Sequence, residues 1–224
     1  MIKNITIAGF FLITVHLSAQ YSVGVKSGFT INRTSILESV EPVSDLNSYA
    51  TSYQIGIVGQ YDITNEWSLH SGLNYTDRRS NIGIGTNINI LGIDLPMAIS
   101  NQISFKSIDI PLAVAYNVNQ GKSTIYPHVG LLSSFVQAGV LVPQIRSIIN
   151  FNIAHLRLPT EQLNSQVFYG IAGIGYSYQI GANNKLFGEA QYNHALEDAT
   201  ALGGLQSNIR NKGFSVGIGY TMSF

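Results

Sequence analysis

The chain has 224 residues, no cysteine, and 12 basic against 12 acidic side chains, for a formal net charge of +0. The lack of cysteine excludes disulfides, thiolate catalysis, Cys-ligated metals and a lipidated-cysteine anchor, and the balanced charge gives no reason to expect a nucleic-acid partner. Only 11% of the residues are charged, against roughly 25% in an ordinary soluble domain. The length suits one domain.

Residues 1–20 have the layout of a secretory signal peptide. Lys3 is positive, residues 5–15 are apolar, and the small residues Ser18 and Ala19 follow. The apolar run is too short to cross a membrane as a helix, which needs about 20 residues. We expect cleavage near Ala19, with a short N-terminal membrane anchor as the alternative, and export of the remainder as one domain.

That domain, residues 21–224, contains eight segments in which apolar and polar side chains alternate with the period of two that β-strands have. In the last segment every apolar side chain lies on one face, and only Gly, Ser and Thr lie on the other. In chain order the segments are YSVGVKSGFTI, YQIGIVGQYDI, WSLHSGLNY, IDIPLAVAYNV, IYPHVGLLSSF, FYGIAGIGYSYQI, LFGEAQYNHAL and GFSVGIGYTMSF.

The connections between these predicted strands alternate in length. Short turns, "TNE", "NQGKS" and "GANN", follow the second, fourth and sixth strands. Long segments follow the first, third, fifth and seventh strands, at residues 32–50, 79–102, 137–165 and 198–211. This arrangement predicts an all-β fold, an eight-stranded antiparallel up-and-down transmembrane β-barrel with short periplasmic turns and long extracellular loops.

The composition of the two strand faces separates this prediction from a soluble barrel such as a lipocalin. The polar face is rich in Gly, Ser, Ala, Gln and Asn and poor in charge, which suits the narrow interior of eight strands better than a surface in water. The apolar face carries aromatic residues near both strand ends, as a lipid interface selects. They are Tyr61, Trp67, Tyr116, Tyr178 and Phe224 at the turn end, and Phe29, Tyr53, Tyr75, Phe135, Phe168 and Phe214 toward the loop end.

A few charged residues fall on the inward face, together with His70 and His128. Charge in a narrow and largely dry interior is costly unless it is paired. We therefore predict a structural plug of ion pairs, and the alternative is an ion path through the barrel. The four charged residues are Lys26, Arg78, Asp109 and Glu189.

Three stretches of the chain resemble the PorT-like outer-membrane β-barrel family of Gram-negative envelopes. They are "SIDIPLAVAYNV", "GIAGIGYSYQIGANNKLFGEAQYNHALEDA" and "KGFSVGIGYTMSF". The resemblance implies an outer-membrane location and a barrel fold, and the family includes proteins tied to secretion and gliding machinery. The family usually has Arg before the Tyr of the seventh strand, where this chain has Gln191 before Tyr192.

The end of the last strand, with Tyr220, Met222 and Phe224 on its apolar face, resembles the C-terminal signal by which outer-membrane proteins reach their assembly machinery. The expected partners are therefore this machinery and outer-membrane lipid. An envelope protein bound through residues 79–102 and 137–165 is a further expected partner. We expect a monomer.

Enzymatic chemistry has few candidate residues. His194 has outward phase near the loop end of the seventh strand, and Ser165 and Ser215 are the nearest serines by topology, although Ser215 has inward phase. A triad needs these groups within hydrogen-bond reach. An interfacial His beside Tyr192 is the favoured interpretation. The scattered histidines give no metal-ligand spacing, so we expect no enzyme activity, no metal and no cofactor.

Two long loops are unusually apolar. Residues 82–90 alternate, so the third and fourth strands are expected to continue above the membrane as a hairpin. Residues 145–156 place apolar side chains at helical spacing, which predicts a short amphipathic helix. The sequence thus predicts a barrel with a structural or interaction role, an accessory of envelope secretion or assembly. The alternatives are a small-molecule or lipid-binding barrel that uses its loops, and a lipid A-modifying enzyme.

Overall fold

A computed structural model describes residues 20–36, 50–90, 93–146, 150–152, 156–158, 166–196 and 209–224. Apart from Gln20, the predicted signal peptide lies outside these ranges, as does most of the predicted loop over 198–211. Within the described ranges, no helix is both long and apolar enough to cross a membrane.

The described residues form eleven β-strands. They are β1 (Gln20–Ile36), β2 (Ala50–Asp62), β3 (Trp67–Ile90), β4 (Ile93–Tyr116), β5 (Val118–Gln120), β6 (Ser123–Arg146), β7 (Asn150–Asn152), β8 (Leu156–Leu158), β9 (Gln166–Gln179), β10 (Asn184–Ala195) and β11 (Ile209–Ser223). The short β5 continues β4 after an interruption at Asn117. The short β7 and β8 both pair with β6.

The remaining eight strands close into an antiparallel barrel. The strand order is β4-β3-β2-β1-β11-β10-β9-β6, and a further pairing between β4 and β6 completes the ring. The first and last strands are neighbours, with Phe29 opposite Val216. The predicted eight-stranded up-and-down barrel is therefore confirmed. Closure pairs the backbone of every barrel strand on both sides, which is the condition for strands in a lipid environment.

The two faces of the barrel are reversed relative to a protein folded in water. Large apolar side chains point outward along every barrel strand, and Ile218 is 72% exposed. The interior holds polar residues such as Ser68, Thr76 and Asp109, with a small apolar cluster around Val167. Apolar surface of this extent is stable only against an apolar solvent, so the exterior faces lipid.

Short turns join the strands at one end of the barrel. Residues 63–66 connect β2 to β3, where the Thr64 hydroxyl accepts a hydrogen bond from the Trp67 amide at 2.9 Å. Residues 121–122 connect β5 to β6, with Gly121 at a φ of 63° that glycine adopts without steric cost. Residues 180–183 connect β9 to β10. All three turns are where the alternation of apolar residues predicts them.

Aromatic pairs lie on the outer face near both ends of the barrel. Near the turns, the ring centroids of Tyr21 and Tyr61 are 5.0 Å apart and those of Trp67 and Tyr116 are 5.1 Å apart. Toward the loop end, the rings of Tyr53 and Tyr75 are 6.3 Å apart. These pairs form parts of the two predicted girdles, which mark the interfaces of the apolar band.

Three strands are much longer than a bilayer requires. Each of β3, β4 and β6 has 24 residues, whereas a membrane crossing takes about 9–11 residues. The pairing of β3 with β4 continues to Ile90 and Ile93, and that of β4 with β6 to Ala98 and Arg146. The expected continuation of the third and fourth strands as a hairpin is therefore confirmed.

The helix predicted over residues 145–156 is wrong. Ile145 belongs to β6, Asn152 to β7 and Leu156 to β8, while residues 147–149 and 153–155 lie outside the described ranges. Ile145 lies opposite Phe151, and Leu141 lies opposite Leu156. The long edge of β6 offers ready hydrogen-bond partners to these short segments. An isolated helix of this length is marginal, so strand pairing is favoured over the helical period.

Candidate functional site: the polar interior of the barrel

Lys26 and Glu189 form an ion pair inside the barrel. The Lys26 ammonium on β1 lies 2.7 Å from Glu189 Oε1 on β10, and both side chains are largely buried. The two strands are separated by β11, where Gly219 lies opposite Lys26 and Gly217 lies opposite Glu189. A Cβ on Gly217 would lie 3.3 Å from Lys26 Cδ. The glycine therefore leaves the space through which the lysine reaches its partner.

Arg78 and Asp109 form a second buried ion pair, nearer the loop end. The guanidinium NH2 group donates to Asp109 Oδ2 at 2.6 Å, and the NH1 group donates to Asp109 Oδ1 at 3.0 Å. The hydroxyls of Ser107 and Ser134 accept from the NH1 group at 2.6 and 3.0 Å. The Arg78 guanidinium also lies over the Tyr169 ring, 4.9 Å from its centroid. Each charge thus has partners on several strands.

The four charged residues lie in two separate pairs, and a layer of amides accompanies them. The Gln191 amide donates to Asn193 Oδ1 at 2.5 Å, and Asn193 donates to the Ser215 hydroxyl at 3.4 Å. Gln191 Oε1 also lies 3.3 Å from His128 Nε2. Gln191, the residue before Tyr192, therefore contacts both Asn193 and His128.

An aromatic group that the sequence analysis did not identify lies below the amide layer. The Tyr126 ring is between His70 and His128, with centroid distances of 5.2 and 6.1 Å. Gly175 lies opposite Tyr126, and Gly173 lies opposite His128. A Cβ on Gly173 would lie 2.7 Å from His128 Nε2, so the glycines of β9 make room for these rings. The inward phase of Tyr126 is visible in the sequence, but the glycines that accommodate its ring are identified only by the register.

The interior contains two connected cavities. A cavity of about 480 Å³ lies at the turn end, and its lining includes Asp62 and Asn119. A smaller cavity of about 60 Å³ has a lining that includes Lys26 and Glu189. Four residues line both cavities and connect them, namely Gln60, Tyr126, Ser177 and Lys185. A separate space of about 10 Å³ lies beside Arg78.

His194 is not assembled with a serine in the described part of the chain. Its Nδ1 atom lies 3.5 Å from the Tyr192 hydroxyl, on the outer side of β10. Ser215 is buried on the inner face, where its hydroxyl donates to the Gln191 carbonyl at 3.3 Å. Ser165 lies outside the described residues. Among the residues that the structure describes, no three His, Cys, Asp or Glu side chains are grouped as metal ligands.

A second group that the sequence analysis did not identify lies on the outer surface near the loop end. Asp77 has outward phase but is only 2% exposed. Arg79 donates to Asp77 Oδ2 from NH2 at 2.7 Å and from Nε at 2.9 Å, and the Ser104 hydroxyl also donates to Asp77. We call Asp77, Arg79 and Ser104 the outer charged cluster. It lies just beyond the Tyr53–Tyr75 pair and marks the upper limit of the apolar band.

The end of β11 is hydrogen-bonded to both neighbouring strands, β1 and β10. The Phe224 amide donates to the Tyr21 carbonyl at 2.8 Å, and the Tyr220 hydroxyl donates to Asn184 Oδ1 at 2.8 Å. Met222 and Phe224 point outward, and Phe224 is 71% exposed. The three residues predicted as an assembly signal thus share one lipid-facing edge of the closed barrel.

The fold and the polar interior of the barrel together define the class of protein. A closed antiparallel barrel with an apolar exterior and a polar interior blocked by ion pairs is a transmembrane barrel of the outer-membrane type. Residues 18–201 match the family described as outer membrane protein beta-barrel domain. The chain belongs to this family, which indicates that it is located in the outer membrane.

Several solved structures are similar to this chain at low sequence identity. A major outer membrane protein from Thermus thermophilus is 11% identical, with a TM-score of 0.51 over 93% of this chain and 100% of that chain. OprG from Pseudomonas aeruginosa is 11% identical, with a TM-score of 0.47 over 92% and 96% of the two chains. Neisserial surface protein A is 15% identical, with a TM-score of 0.44 over 93% and 100%. No curated protein sequence matches the chain.

Proposed function

We propose that this protein is a monomeric, non-enzymatic outer-membrane barrel that presents a β-sheet to a protein partner of the cell envelope. The resemblance to the PorT-like family supports the narrower proposal of an accessory in envelope secretion or assembly. The observation that carries the proposal is the length of β3, β4 and β6, each of 24 residues, beyond a barrel whose interior is crossed by the buried Arg78–Asp109 pair.

The polar layer around Arg78 and Asp109 argues against a transport role. Arg78 and Asp109 are buried, and they bond with Ser107 and Ser134, which places one polar layer across β3, β4 and β6. Eight strands leave an interior just wide enough for side chains. Desolvated charges held by several hydrogen bonds are costly to separate, so the layer is a structural plug rather than a gate.

The surface offered to a partner is the sheet beyond the outer charged cluster. It consists of β3 and β4 between residues 80 and 103, the end of β6, and the short β7 and β8. We call this sheet the projection. A crossing of about 11 residues leaves about 13 residues of each long strand outside the bilayer. The projection includes described parts of the loops at 79–102 and 137–165, for which a partner was expected.

Biogenesis supplies the other proposed partners. Tyr220, Met222 and Phe224 lie together on the outer face of the closing strand. We assign to them the role of the signal read by the outer-membrane assembly machinery. The surrounding lipid contacts the rest of the apolar band.

A shortened projection tests the proposal. Asn81 and Gln102 are register partners, so residues 82–101 can be replaced by an Asn-Gly turn without changing the pairing below them. Heat-modifiable migration on a denaturing gel would show that the barrel still assembles. We expect partners cross-linked to the full-length protein in intact envelopes to be lost from the shortened variant. Retention of the same partners would contradict the proposal.

A further inference from the structure

The two connected cavities make a blind pocket that opens at the turn end of the barrel. The outer cavity of about 480 Å³ is lined by turn residues, including Thr64 and Asn65. The inner cavity of about 60 Å³ lies beside His128 and Gln191. Water needs about 10–15 Å³ of such space per molecule, so the inner cavity holds a few waters or a small solute.

The passage between the cavities carries polar groups that have no hydrogen-bond partner. We call it the neck, and it is formed by Gln60, Tyr126, Ser177 and Lys185. Tyr126 is 5% exposed and Ser177 is 9% exposed. Neither hydroxyl bonds to a side chain or backbone group in the described ranges, and the Lys185 ammonium has no ion pair there. These three groups line both cavities, so water or a solute in the cavities is available as their partner.

The charges around the neck favour an anion. Lys26 and Glu189 in the inner cavity neutralise each other at 2.7 Å. Asp62 in the outer cavity accepts a hydrogen bond from the Gln60 amide at 2.6 Å. This hydrogen bond does not cancel the charge of Asp62, but Asp62 lines only the outer cavity. Lys185 is the one charged residue of the four that form the neck, and Tyr126 and Ser177 supply neutral hydroxyl donors beside it. His70 and His128 line the inner cavity behind them.

We propose that this neck is a binding site for a small anionic solute that enters from the periplasmic side. Its carboxylate or phosphate group accepts hydrogen bonds from Tyr126 and Ser177 and pairs with Lys185. A short apolar substituent of the solute fits behind the neck, where Val58, Phe187 and Ile171 line the inner cavity. The site lies at the opposite end of the barrel from the projection and is independent of the proposed partner.

Substituted cysteines test the site, because the chain contains no native cysteine. Ser177→Cys is placed in lipid nanodiscs, where both ends of the barrel meet solvent, and is treated with anionic and cationic methanethiosulfonate reagents. Each rate is divided by the rate for free N-acetylcysteine. We expect the anionic reagent to react about three- to tenfold faster than the cationic one, as a nearby unit charge at intermediate dielectric predicts. Inorganic phosphate or acetate at millimolar concentration should slow labelling of Thr221→Cys, which lies in the wall of the inner cavity and keeps all three proposed ligand groups.

Matched variants distinguish a charge preference at this site from general access of the reagents to the barrel interior. Lys185→Gln in the Ser177→Cys background should remove the charge preference, and Lys185→Arg should retain it. Ser215→Cys, which lies within the amide layer, should remain unlabelled. Thr221→Cys in the wall of the inner cavity provides a second probe if Ser177→Cys fails to assemble. Equal normalised rates for the two reagents, or no protection by either anion, would overturn the proposal. The comparison of phosphate with acetate identifies the preferred anionic group.

Discussion

Lys26 on β1 and Glu189 on β10 form an ion pair across the intervening strand β11. Their charged atoms are 2.7 Å apart, and β11 lies between β1 and β10. The ion pair therefore links the first barrel strand to the strand before the last. It spans the seam at which the two ends of the barrel domain meet. The small residues of β11 at this level are what make the contact sterically feasible.

Adding a side chain at Gly217 should weaken this seam. A Cβ there would approach Lys26 Cδ at 3.3 Å, whereas a Cβ on the outward Gly188 would have its nearest neighbour at 3.8 Å. We expect Gly217→Val to lower the free energy of unfolding from lipid vesicles by about 1–3 kcal/mol, as overpacked interiors do. Gly188→Val is the matched control and should cost less than half as much. Equal losses for the two variants would show that the space over Gly217 is not required.

Removing Asp109 should cost more than removing the whole ion pair. Asp109→Leu leaves the buried Arg78 guanidinium without its carboxylate, which costs about 3–5 kcal/mol in comparable buried pairs. The double variant Arg78→Met with Asp109→Leu removes both charges, so it should recover part of that loss. Urea unfolding of the two variants in vesicles measures the difference. A double variant less stable than the single one would contradict a plug held by charge pairing.

His194 should be dispensable for lipid chemistry. Its observed contact is with the Tyr192 hydroxyl at 3.5 Å, and Ser215 points to the opposite face of the barrel wall. We expect lipid A from cells that produce His194→Ala to have the same mass spectrum as lipid A from cells that produce the unchanged protein. A species of lipid A that depends on His194 would instead support the enzyme alternative.

Assembly of the barrel should depend more on Phe224, the last residue, than on Phe214, the first aromatic residue of β11. Phe224 and Phe214 point outward on the same face of β11. If Phe224 belongs to the assembly signal, Phe224→Ala should reduce the yield of heat-modifiable barrel several-fold in cells. Phe214→Ala, the matched control, should assemble normally. A similar defect in both variants would assign the effect to lost lipid contact alone.

The alternation of apolar and polar residues was sufficient to predict the barrel. In a barrel closed in lipid, every strand must place its apolar side chains outside and its polar side chains inside. Phe214 to Phe224 obey this rule without exception, and the structure has each apolar member outside. The same phase places Lys26 and Glu189 on the inner face, where the structure pairs them. Alternation is a local property, so these inferences needed no tertiary information.

Other features depended on contacts that no local pattern contains. Asp77 has outward phase, yet Arg79 and Ser104 cover it from the same face. Tyr126 is recognisable only when the register opposite Gly175 is known. Residues 145–156 have helical spacing, but pairing with β6 gives the described residues 150–152 and Leu156 a strand conformation. In each case the neighbouring strand, and not the segment itself, decides the outcome.

The apolar side chains of the barrel strands point outward, toward lipid. A nitroxide scan of β11 measures this orientation position by position. Single cysteines from Phe214 to Phe224 would be spin-labelled in lipid bilayers, and their collision rates measured with oxygen and with a water-soluble nickel chelate. We predict high oxygen accessibility at every even-numbered position, highest near Ile218, and low accessibility to both reagents at Ser215 and Gly217. Even-numbered positions shielded from oxygen, with odd-numbered positions open to the nickel chelate, would contradict the membrane-barrel account.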